Sequence, residues 1–564
     1  MAQNKSIITG PPLEEEPGLG DLTLSGWFRH VTRQGGDSEA LVYYEGGLET
    51  GDRTSWTYAD MWDRANEIAR ALVACGIGKG ERVGILMTNR PEFISATFGA
   101  ALAGAVATTF STFSTAAEME HLLAASGVSI LLLERKVLKK DFAEMMAGFD
   151  AAIADGKPTS FQSEKFPFLR HIACIGEPLG AIETLDQFIV RGGDTPQNIV
   201  DARAASVTPA DPGVLFFSSG STAMPKGVLS AHRGVTLQLW RWPRWYQVEP
   251  GEARTWSANG FFWSGNFSMA FGGALTSGGS LVLQSTFDAA EALALIEREK
   301  ATQVLAWPHQ YGQLVAAPNW DVVDLSSLKY VDCKCAMADH PTIDSSWREP
   351  YAAFGNTETF TLISAFPANT PEDVISGSVG KACHGNRIKI VDPVSGETVP
   401  VGEKGEIVVK GPTLMLGYIG VPNDMVLDGE GYLHTGDGGH IDEEGRLYWH
   451  GRLSDIIKTG GANVSPVEVD TLLKTMTGVK AVQTVGVGDD MLGELVVSCI
   501  VAQDGADIDE QSVKAFAKEK LASFKVPRRV LFFAEQELSL TGSAKIKTAD
   551  LRELATKKLA GDSV

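Results

Sequence analysis

A short loop rich in hydroxyl groups is the part of this sequence best suited to chemistry. Residues 214–228 read VLFFSSGSTAMPKGV, an apolar run that leads into small polar residues and then into Lys226. The small polar residues are Ser218, Ser219, Gly220, Ser221 and Thr222. Backbone N–H groups and hydroxyls can donate hydrogen bonds to a polyphosphate, and a lysine ammonium supplies a compact positive charge. The pattern predicts a phosphate-binding loop, with a plain surface turn as the alternative.

The elements around this loop alternate between helix and strand. A helix-prone run in residues 55–81 ends at glycines and is followed by a strand-like run over 82–87. The same alternation is predicted at 119–133, 289–307 and 321–331. Such alternation is typical of parallel sheets covered by helices, so the predicted fold class is α/β.

Length and a change in texture predict two domains. A chain of 564 residues exceeds what one hydrophobic core usually supports. After Gly431 the sequence changes to short, turn-rich β segments and then to alternating helix and strand. We expect a large N-terminal domain over residues 1–451, built of sheets covered by helices, and a small mobile α+β domain over 452–564. Residues 1–20 are predicted to be a loose leader.

Composition restricts the class of partner. The formal net charge of -21 would repel nucleic acid, so no nucleic-acid partner is expected. The longest weakly polar stretch, 94–110, contains Ser and Thr and is short for a membrane span, so no integral membrane segment is expected. Six scattered cysteines without a disulfide framework indicate a reducing cytoplasm. The oligomeric state is left open, with a homodimer as one expectation.

The phosphate loop resembles the signature of the adenylate-forming superfamily, which includes acyl-CoA synthetases, luciferases and the adenylation domains of peptide synthetases. Four further segments resemble the family's motifs in the family's order. They are FGNTE at 354–358, YLHTGD at 432–437, GRLSDIIKTGG at 451–461 and LTGSAKI at 540–546. The resemblance therefore covers nearly the whole chain.

This resemblance implies roles for residues in the adenylation step. Thr357 would contact the α-phosphate, and Glu358 would hold Mg2+ with Thr222 as a further metal ligand. Lys545 would be the catalytic lysine that offsets negative charge while the adenylate forms. Lys226 would act on the phosphates from its loop.

The resemblance also implies a nucleotide contact and a second chemical step. Asp437 would accept hydrogen bonds from both ribose hydroxyls, and Arg452 would reach the nucleotide. Ser454 stands at the family's hinge position. The hairpin residues are Lys458, Gly460 and Gly461, which would reach the site for the thioester step after the smaller domain rotates.

Aromatic residues are candidates for the acyl pocket or its gate. Phe262 and Trp263 fall where many CoA ligases have an aromatic residue followed by histidine, and Phe354 opens the FGNTE motif. A core role is the alternative for Trp263. The region 260–266 lacks the aspartate that pairs the amine in amino-acid-activating members, which disfavours an amino-acid substrate. Trp240, Trp242 and Trp245 are expected to form a core stripe rather than a pocket wall.

The function implied by the resemblance uses ATP, Mg2+ and coenzyme A. A hydrophobic carboxylic acid, whether fatty, aryl or alicyclic, would be activated to acyl-AMP with release of pyrophosphate and then transferred to the CoA thiol. Two alternatives stay open. One is a stand-alone acyl-AMP ligase that delivers to another acceptor. The other is a degenerate nucleotide-binding protein without activity, motivated by Ala223, Ala544 and the unusual Cys333-Lys334-Cys335-Ala336 segment.

Overall fold

The computed structural model describes residues 5–218, 225–350, 352–459, 462–489, 492–521, 524–534, 537 and 548–561. Within these ranges the chain is mixed α/β, which confirms the predicted fold class. Two compact units are present. The larger comprises Thr9–Arg387 and Lys410–Tyr432, and the smaller comprises Met1–Ile8, Ile388–Val409 and Leu433–Val564. The domain limits 1–451 and 452–564 stay a prediction.

Helices occur in both units, and polar caps define where several of them begin. The α-helices in the described ranges are Leu24–Gly35, Tyr58–Ala74, Pro91–Leu102, Ala116–Ser126, Phe142–Phe149, Ala151–Ala154, Leu185–Val190, Gln197–Ala205, His232–Tyr246, Ser264–Ala270, Ala289–Glu299, Pro308–Val315, Glu372–Ile375, Pro466–Leu473, Glu510–Lys520 and Thr548–Gly561. Thr57, Thr115 and Thr184 each cap a helix through reciprocal bonds with its third residue. None of these helices combines the length and the apolar run that a bilayer span requires.

A mostly parallel sheet runs through the larger unit. Its order in the described residues is Ile182–Thr184, His171–Ile175, Ile130–Glu134, Arg82–Leu86, Val106–Thr109, Pro212–Ser218, Lys226–Ala231 and Gly417–Tyr418. Pairing is parallel as far as Pro212–Ser218 and antiparallel beyond it. Ile130 and Leu132 pack into one core, and Leu131 and Leu133 pack into another. Both faces of the sheet are therefore buried, as a parallel sheet requires.

Smaller sheets complete the larger unit. One has the order Gln303–Leu305, Arg254–Ser257, Ser280–Val282, Glu39–Tyr44 and Arg53–Thr57. Another has the order Ala353–Asn356, Thr361–Ala365 and Lys381–Ala382. A short ribbon pairs Lys136–Val137 with Lys140–Asp141. The predicted helix and strand alternation is confirmed at 55–87, 119–133 and 289–307.

Two sheets are present among the described residues of the smaller unit. The first has the order Ile7–Thr9, Arg387–Val391, Gly405–Lys410, Leu433–Ile441 and Leu447–Arg452. The second has the order Ala462–Val464, Ile457–Thr459, Gly493–Ala502 and Val479–Asp489, and Arg529–Phe532 also pairs with Gly493–Ala502. Helices Pro466–Leu473 and Glu510–Lys520 pack on the second sheet through a core that includes Val469, Val513 and Ile500.

The predicted helix and strand at 321–331 is wrong. The described residues there form turns and a single bridge between Gln303 and Tyr330. Asp324 Oδ1 accepts the Ser326 N–H at 3.0 Å, a local bond that competes with helix formation.

The predicted loose leader is also wrong over its described part. Glu16 is buried, and its carboxylate pairs with Arg241 at 2.8 Å and with Arg244 at 2.6 Å. The two guanidinium groups hold the pKa of Glu16 below its usual value despite the opposing effect of burial. A buried charge pair of this kind needs both partners. Glu16 therefore attaches this part of the segment to the interior of the larger unit.

Candidate active site

Two neighbouring strands frame the predicted phosphate loop. Pro212–Ser218 and Lys226–Ala231 pair antiparallel, with Ser218 opposite Lys226. The predicted loop residues that lie outside the described ranges are Ser219, Gly220, Ser221 and Thr222. Their assignment stays a prediction, and the two residues at the ends of the loop are fixed by the sheet.

Strand direction places Ser218 at a suitable edge of the sheet. Arg82–Leu86, Val106–Thr109 and Pro212–Ser218 are parallel neighbours, so their carboxyl ends meet at one edge. Ligands of open parallel sheets bind outside that edge. The Ser218 Oγ is buried and has no hydrogen-bond partner among the described residues. A buried hydroxyl of this kind suits a ligand that brings its own acceptors.

Lys226, Tyr418 and Glu358 meet beside the loop. Lys226 Nζ lies 5.4 Å from the centroid of the Tyr418 ring, and the Tyr418 hydroxyl donates to Glu358 Oε1 at 2.7 Å. The contacts join the predicted phosphate-binding lysine to the predicted metal-binding carboxylate. Sequence reasoning misses Tyr418, because the strand pairing that brings Gly417–Tyr418 beside Lys226–Ala231 has no local signal.

Thr357 and Glu358 lie in the 3-10 turn Thr357–Thr359. Asn356 caps this turn, since its Oδ1 accepts the Thr359 N–H at 3.0 Å. Gly355 permits the close approach before the turn, because a Cβ there would lie 1.4 Å from the Thr361 carbonyl oxygen. The sequence FGNTE therefore specifies the local geometry that presents the Glu358 side chain.

The backbone two and three residues after Glu358 is strained. Phe360 and Thr361 have φ angles of 43° and 81°, a left-handed region that residues other than glycine rarely adopt. Packing holds Phe360 in place, with ring centroids 5.7 Å from Phe216 and 6.2 Å from Phe267. Strain that the surrounding core maintains is frequent beside functional groups.

The carboxylate of Glu358 fits a magnesium ion that is shared with nucleotide phosphates. Its Oε1 is oriented by Tyr418, and its Oε2 accepts no hydrogen bond from the residues that the structure describes. No cluster of three or more His, Cys, Asp or Glu side chains in the described ranges could hold a metal ion alone. Mg2+ is commonly bound by one or two carboxylates together with substrate phosphates.

The predicted gate residues Phe262 and Trp263 lie in contact. Their ring centroids are 5.5 Å apart, Phe262 is buried, and Trp263 is half-buried at the start of helix Ser264–Ala270. Phe354 is also buried but makes no ring contact with either of them in the described structure. Trp240 and Trp242 are buried in the core, which supports the core interpretation of that cluster.

Asn89 supports the gate segment from the same sheet edge, and sequence reasoning misses it. Its Oδ1 accepts the Phe261 N–H at 2.8 Å, and its Nδ2 donates to the Asn259 carbonyl at 2.7 Å. The residue follows strand Arg82–Leu86, and its position after a predicted strand is a signal that the sequence offers. Asn89 thereby fixes the backbone just before Phe262.

The unusual segment after Asp332 is built around two carboxyl groups. Asp332 accepts the N–H of Lys334 and the N–H of Glu349, each at 2.7 Å. Burial raises the pKa of the Glu349 carboxyl to about 7, and the nearby charge of Asp332 adds to this shift. Burial also raises the pKa of Cys335. This segment is therefore tightly hydrogen-bonded.

In the smaller unit, Asp437 and Arg452 are directly paired across strands Leu433–Ile441 and Leu447–Arg452. Arg452 Nε lies 3.2 Å from Asp437 Oδ1, and Arg452 Nη1 donates to the Thr435 carbonyl at 2.8 Å. Trp449 Nε1 also donates to Asp437 Oδ1, at 3.1 Å. Sequence reasoning misses Trp449. A hydrogen bond from Trp449 and an ion pair with Arg452 thus orient the predicted ribose-binding carboxylate.

The hinge and hairpin candidates lie further along the same unit. Ser454 is exposed in the turn Leu453–Asp455, and the Lys458 N–H donates to Glu494 Oε2 at 2.8 Å. Thr459 pairs with Ala462 across two antiparallel strands. The candidates outside the described residues are Gly460, Gly461 and Lys545. Their roles stay predictions.

Two family models match this chain, one after the other along the sequence. The family described as AMP-binding enzyme matches residues 27–419. The family described as AMP-binding enzyme C-terminal domain matches residues 468–545. A large N-terminal domain and a smaller C-terminal domain are therefore both represented.

Individual proteins resemble this chain over most of its length. Feruloyl-CoA synthase from an Amycolatopsis species is 31% identical over 510 residues, which cover 88% of this chain and 94% of the relative. The 3-[(3aS,4S,7aS)-7a-methyl-1,5-dioxo-octahydro-1H-inden-4-yl]propanoyl:CoA ligase of Mycobacterium tuberculosis is 30% identical over 507 residues, with the same coverage of 88% and 94%. The crystal structure of the anthranilate CoA ligase AuaEII with anthranoyl-AMP has a TM-score of 0.78 at 24% identity. It covers 97% of this chain and 99% of that chain, and it bears on the fold alone.

Proposed function

This chain belongs to the adenylate-forming superfamily of AMP-binding enzymes, and from that membership we propose that its acid substrate is hydrophobic: fatty, aryl or alicyclic. The activity is that of an AMP-forming acid–thiol ligase that uses ATP and CoA. Two relatives are named for an aryl acid and an alicyclic acid, which supports the proposed class. The contact between Phe262 and Trp263 supplies apolar surface for such a group.

The first half-reaction joins the acid to AMP. A carboxylate oxygen attacks the α-phosphorus of ATP, the bond to the β-phosphate bridging oxygen breaks, and pyrophosphate leaves. Lys226, Thr357 and Lys545 are proposed to offset the negative charge that spreads over the phosphoryl oxygens. The meeting of Lys226, Tyr418 and Glu358 beside the loop is the observation that best supports this assignment.

We assign Glu358 to hold Mg2+, with Thr222 as the predicted second protein ligand. The oriented carboxylate of Glu358 supports this assignment. When bound, Mg2+ would neutralise phosphate charge and lower the electrostatic barrier to attack by an anion. The protein's own contribution is to keep the Glu358 carboxylate aimed and to hold Lys226 close to it.

Asp437 and Arg452 are proposed to bind the nucleoside part of ATP. A buried carboxylate suits two ribose hydroxyls, because it accepts hydrogen bonds and donates none. The hydrogen bond from Trp449 and the ion pair with Arg452 fix the orientation of Asp437, which supports this role.

The second half-reaction transfers the acyl group to coenzyme A. The thiolate sulfur attacks the acyl carbonyl carbon, a carbon–sulfur bond forms, and AMP leaves with the electrons of the broken mixed anhydride bond. We propose that domain 452–564 is a mobile lid with its hinge at Ser454. Lys458, Gly460 and Gly461 would then come to the site in place of Lys545. The antiparallel pairing of Ile457–Thr459 with Ala462–Val464 supports this assignment.

One measurement tests the proposed function. Pyrophosphate release with Mg-ATP is measured across fatty, aryl and alicyclic acids, with and without CoA, and mass spectrometry identifies the products. An acyl-CoA product identifies the acid class. Adenylate that accumulates unchanged by CoA would indicate another acceptor, and absence of turnover across the panel would favour the degenerate nucleotide-binding alternative.

We also propose a cytoplasmic location and a homodimer. The six cysteines are free, and burial raises the pKa of Cys75, Cys174, Cys383 and Cys499, as suits thiols that stay reduced. Cell fractionation tests the location. Size-exclusion chromatography with light scattering measures the molar mass in solution and so tests the oligomeric state. The mass of a monomer would contradict the proposed dimer.

A further inference from the structure

Tyr418 lies between the two charged side chains that the proposed mechanism assigns to the triphosphate. Its hydroxyl donates to Glu358 Oε1 at 2.7 Å, and the centroid of its ring lies 5.4 Å from Lys226 Nζ. The three residues are far apart in sequence, so only the tertiary structure brings them together. None of the sequence motifs includes Tyr418.

Strand pairing fixes the position of Tyr418 relative to Lys226. The strand Gly417–Tyr418 is antiparallel to Lys226–Ala231, with Tyr418 opposite Val228. Lys226 precedes Val228 by two residues, so it is the diagonal neighbour of Tyr418 on the same face of the sheet. A long lysine side chain can therefore reach the tyrosine ring.

A backbone contact fixes the position of Tyr418 relative to Glu358. The Met415 N–H donates to the Glu358 carbonyl oxygen at 2.7 Å. The 3-10 turn that carries Glu358 is thereby attached to the segment that leads into Tyr418. The side-chain hydrogen bond and this backbone bond together restrain both ends of the Glu358 residue.

The contacts that Tyr418 makes with Glu358 and with Lys226 differ in strength. A hydroxyl that donates to a carboxylate forms a strong, directional bond and holds the group in one orientation. An ammonium over an aromatic ring is attracted more weakly than an ammonium beside a phosphate. A triphosphate can therefore draw Lys226 away from the ring while the bond to Glu358 persists.

We propose that Tyr418 is a positioning residue for ATP. Its hydroxyl orients Glu358 toward Mg2+, and its ring keeps Lys226 beside the phosphate loop until the triphosphate replaces that contact. The proposal rests on the proposed nucleotide site. It adds to that site a residue that touches neither the reacting atoms nor the acid.

Two variants separate the hydroxyl from the ring. Tyr418→Phe removes the hydrogen bond to Glu358 and keeps the ring under Lys226, whereas Tyr418→Leu removes both. ATP binding is measured by titration calorimetry without any acid, first in EDTA and then at rising Mg2+ concentrations. The readout is the gain in ATP affinity that Mg2+ produces, which does not depend on turnover.

Tyr44→Phe is the matched control. The Tyr44 hydroxyl also donates to a carboxylate, Glu299 Oε1 at 2.5 Å, and its ring also lies by a cation, with the Arg298 Cζ 4.9 Å from the ring centroid. Tyr44 belongs to the strand Glu39–Tyr44, in a different sheet from Tyr418. Tyr44→Phe thus tests, away from the proposed site, the loss of a tyrosine hydroxyl that donates to a carboxylate while the ring stays beside a cation.

We expect the ATP affinity of Tyr418→Phe in EDTA to stay within about twofold of the parent's. The gain in ATP affinity that Mg2+ produces should be about tenfold smaller than in the parent. Tyr418→Leu should show that loss and a further drop of about threefold in EDTA, because Lys226 gains rotamer freedom that binding must remove. Tyr44→Phe should keep the full gain. A full gain in a folded Tyr418→Phe protein would overturn the proposal alone. Absence of Mg2+-dependent binding in the parent would overturn both it and the proposed nucleotide site.

Discussion

Trp449 donates its indole N–H to Asp437 Oδ1 at 3.1 Å, although the Trp449 side chain is 39% exposed. Arg452 Nε lies 3.2 Å from the same oxygen. One carboxylate oxygen therefore accepts a hydrogen bond from Trp449 and forms an ion pair with Arg452, and both side chains come from one neighbouring strand. Because Trp449 is exposed and holds the buried Asp437 carboxylate in one orientation, we expect it to affect how Asp437 binds a ligand.

Trp449→Phe keeps an aromatic ring and removes the donor. We expect the KM for ATP to rise by up to about tenfold with kcat little changed, because a hydrogen bond to a charged group contributes about 1.5 kcal/mol. Steady-state pyrophosphate release gives both constants. With 2′-deoxy-ATP the penalty should shrink, since one of the two ribose hydroxyls that would donate a hydrogen bond to Asp437 is missing. An equal rise in KM for ATP and for 2′-deoxy-ATP would indicate that Trp449 acts only through packing.

Lys545→Ala should separate the two half-reactions. We expect adenylate formation to fall at least about a hundredfold, because the lysine would stabilise charge in the transition state. Thioester formation from a supplied acyl adenylate should be spared, since only the first step would use this side chain. Single-turnover assays of each step make the comparison, with Lys458→Ala as the variant expected to impair the second step. Equal loss of both steps in Lys545→Ala would contradict the proposed rotation of the smaller domain.

Trp263→Ala should change which acids are accepted. Removing a half-buried indole beside Phe262 opens space next to that ring, so we expect the preference between a bulky and a small acid to move by about tenfold while the KM for ATP stays constant. Trp27→Phe is the control, because Trp27 is fully buried in the core and donates to Thr276 Oγ1. That variant should lose stability and keep its acid profile. An unchanged acid profile in Trp263→Ala would favour the alternative, in which Trp263 is a core residue.

His232 should make the folded state sensitive to acid. Burial lowers its pKa to about 4, and its neutral Nδ1 accepts the Leu24 N–H at 3.1 Å. The pKa in the unfolded chain is about 6.5, so the unfolded state binds the proton more tightly. This contribution to stability is present above pH 6.5 and is lost as the pH falls toward 4, by at most about 3 kcal/mol. His232→Gln keeps an acceptor that does not titrate, and thermal unfolding at pH 7 and pH 4.5 should show a smaller loss for it. An equal loss in both proteins would assign the acid sensitivity to other groups.

Local chemistry explains what could be predicted from the sequence. The strand before Ser218, the capped turn at Thr357 and Glu358, and the strands around Asp437 and Arg452 are specified by residues that are neighbours in the chain. Helix and strand alternation failed only where Asp324 makes a local side-chain bond that competes with a helix. The sequence motifs and the hydrophobic pattern can therefore predict the fold class and the strands and turn that carry the site residues.

Long-range pairing explains what could not be predicted. Tyr418 reaches Glu358 through a sheet-edge strand, and Asn89 reaches the Phe261 backbone from a different part of the sheet. Glu16 pairs with Arg241, which lies more than two hundred positions away in the sequence. The local sequence around Glu16 therefore predicts a loose leader and gives no sign of this partner. Each contact depends on tertiary packing that no local pattern encodes.

The burial of Glu16 limits how the protein can be shortened for experiments. A deletion that stops before residue 9 keeps the Glu16 carboxylate in place. A deletion that extends past Glu16 would leave the fully buried guanidinium of Arg241 without this carboxylate. An unpaired buried charge costs about 3 to 5 kcal/mol, enough to turn a soluble preparation into an aggregating one. Affinity tags and proteolytic cleavage sites therefore belong ahead of this segment, and a clone that begins after it should be judged by yield before its catalysis is interpreted.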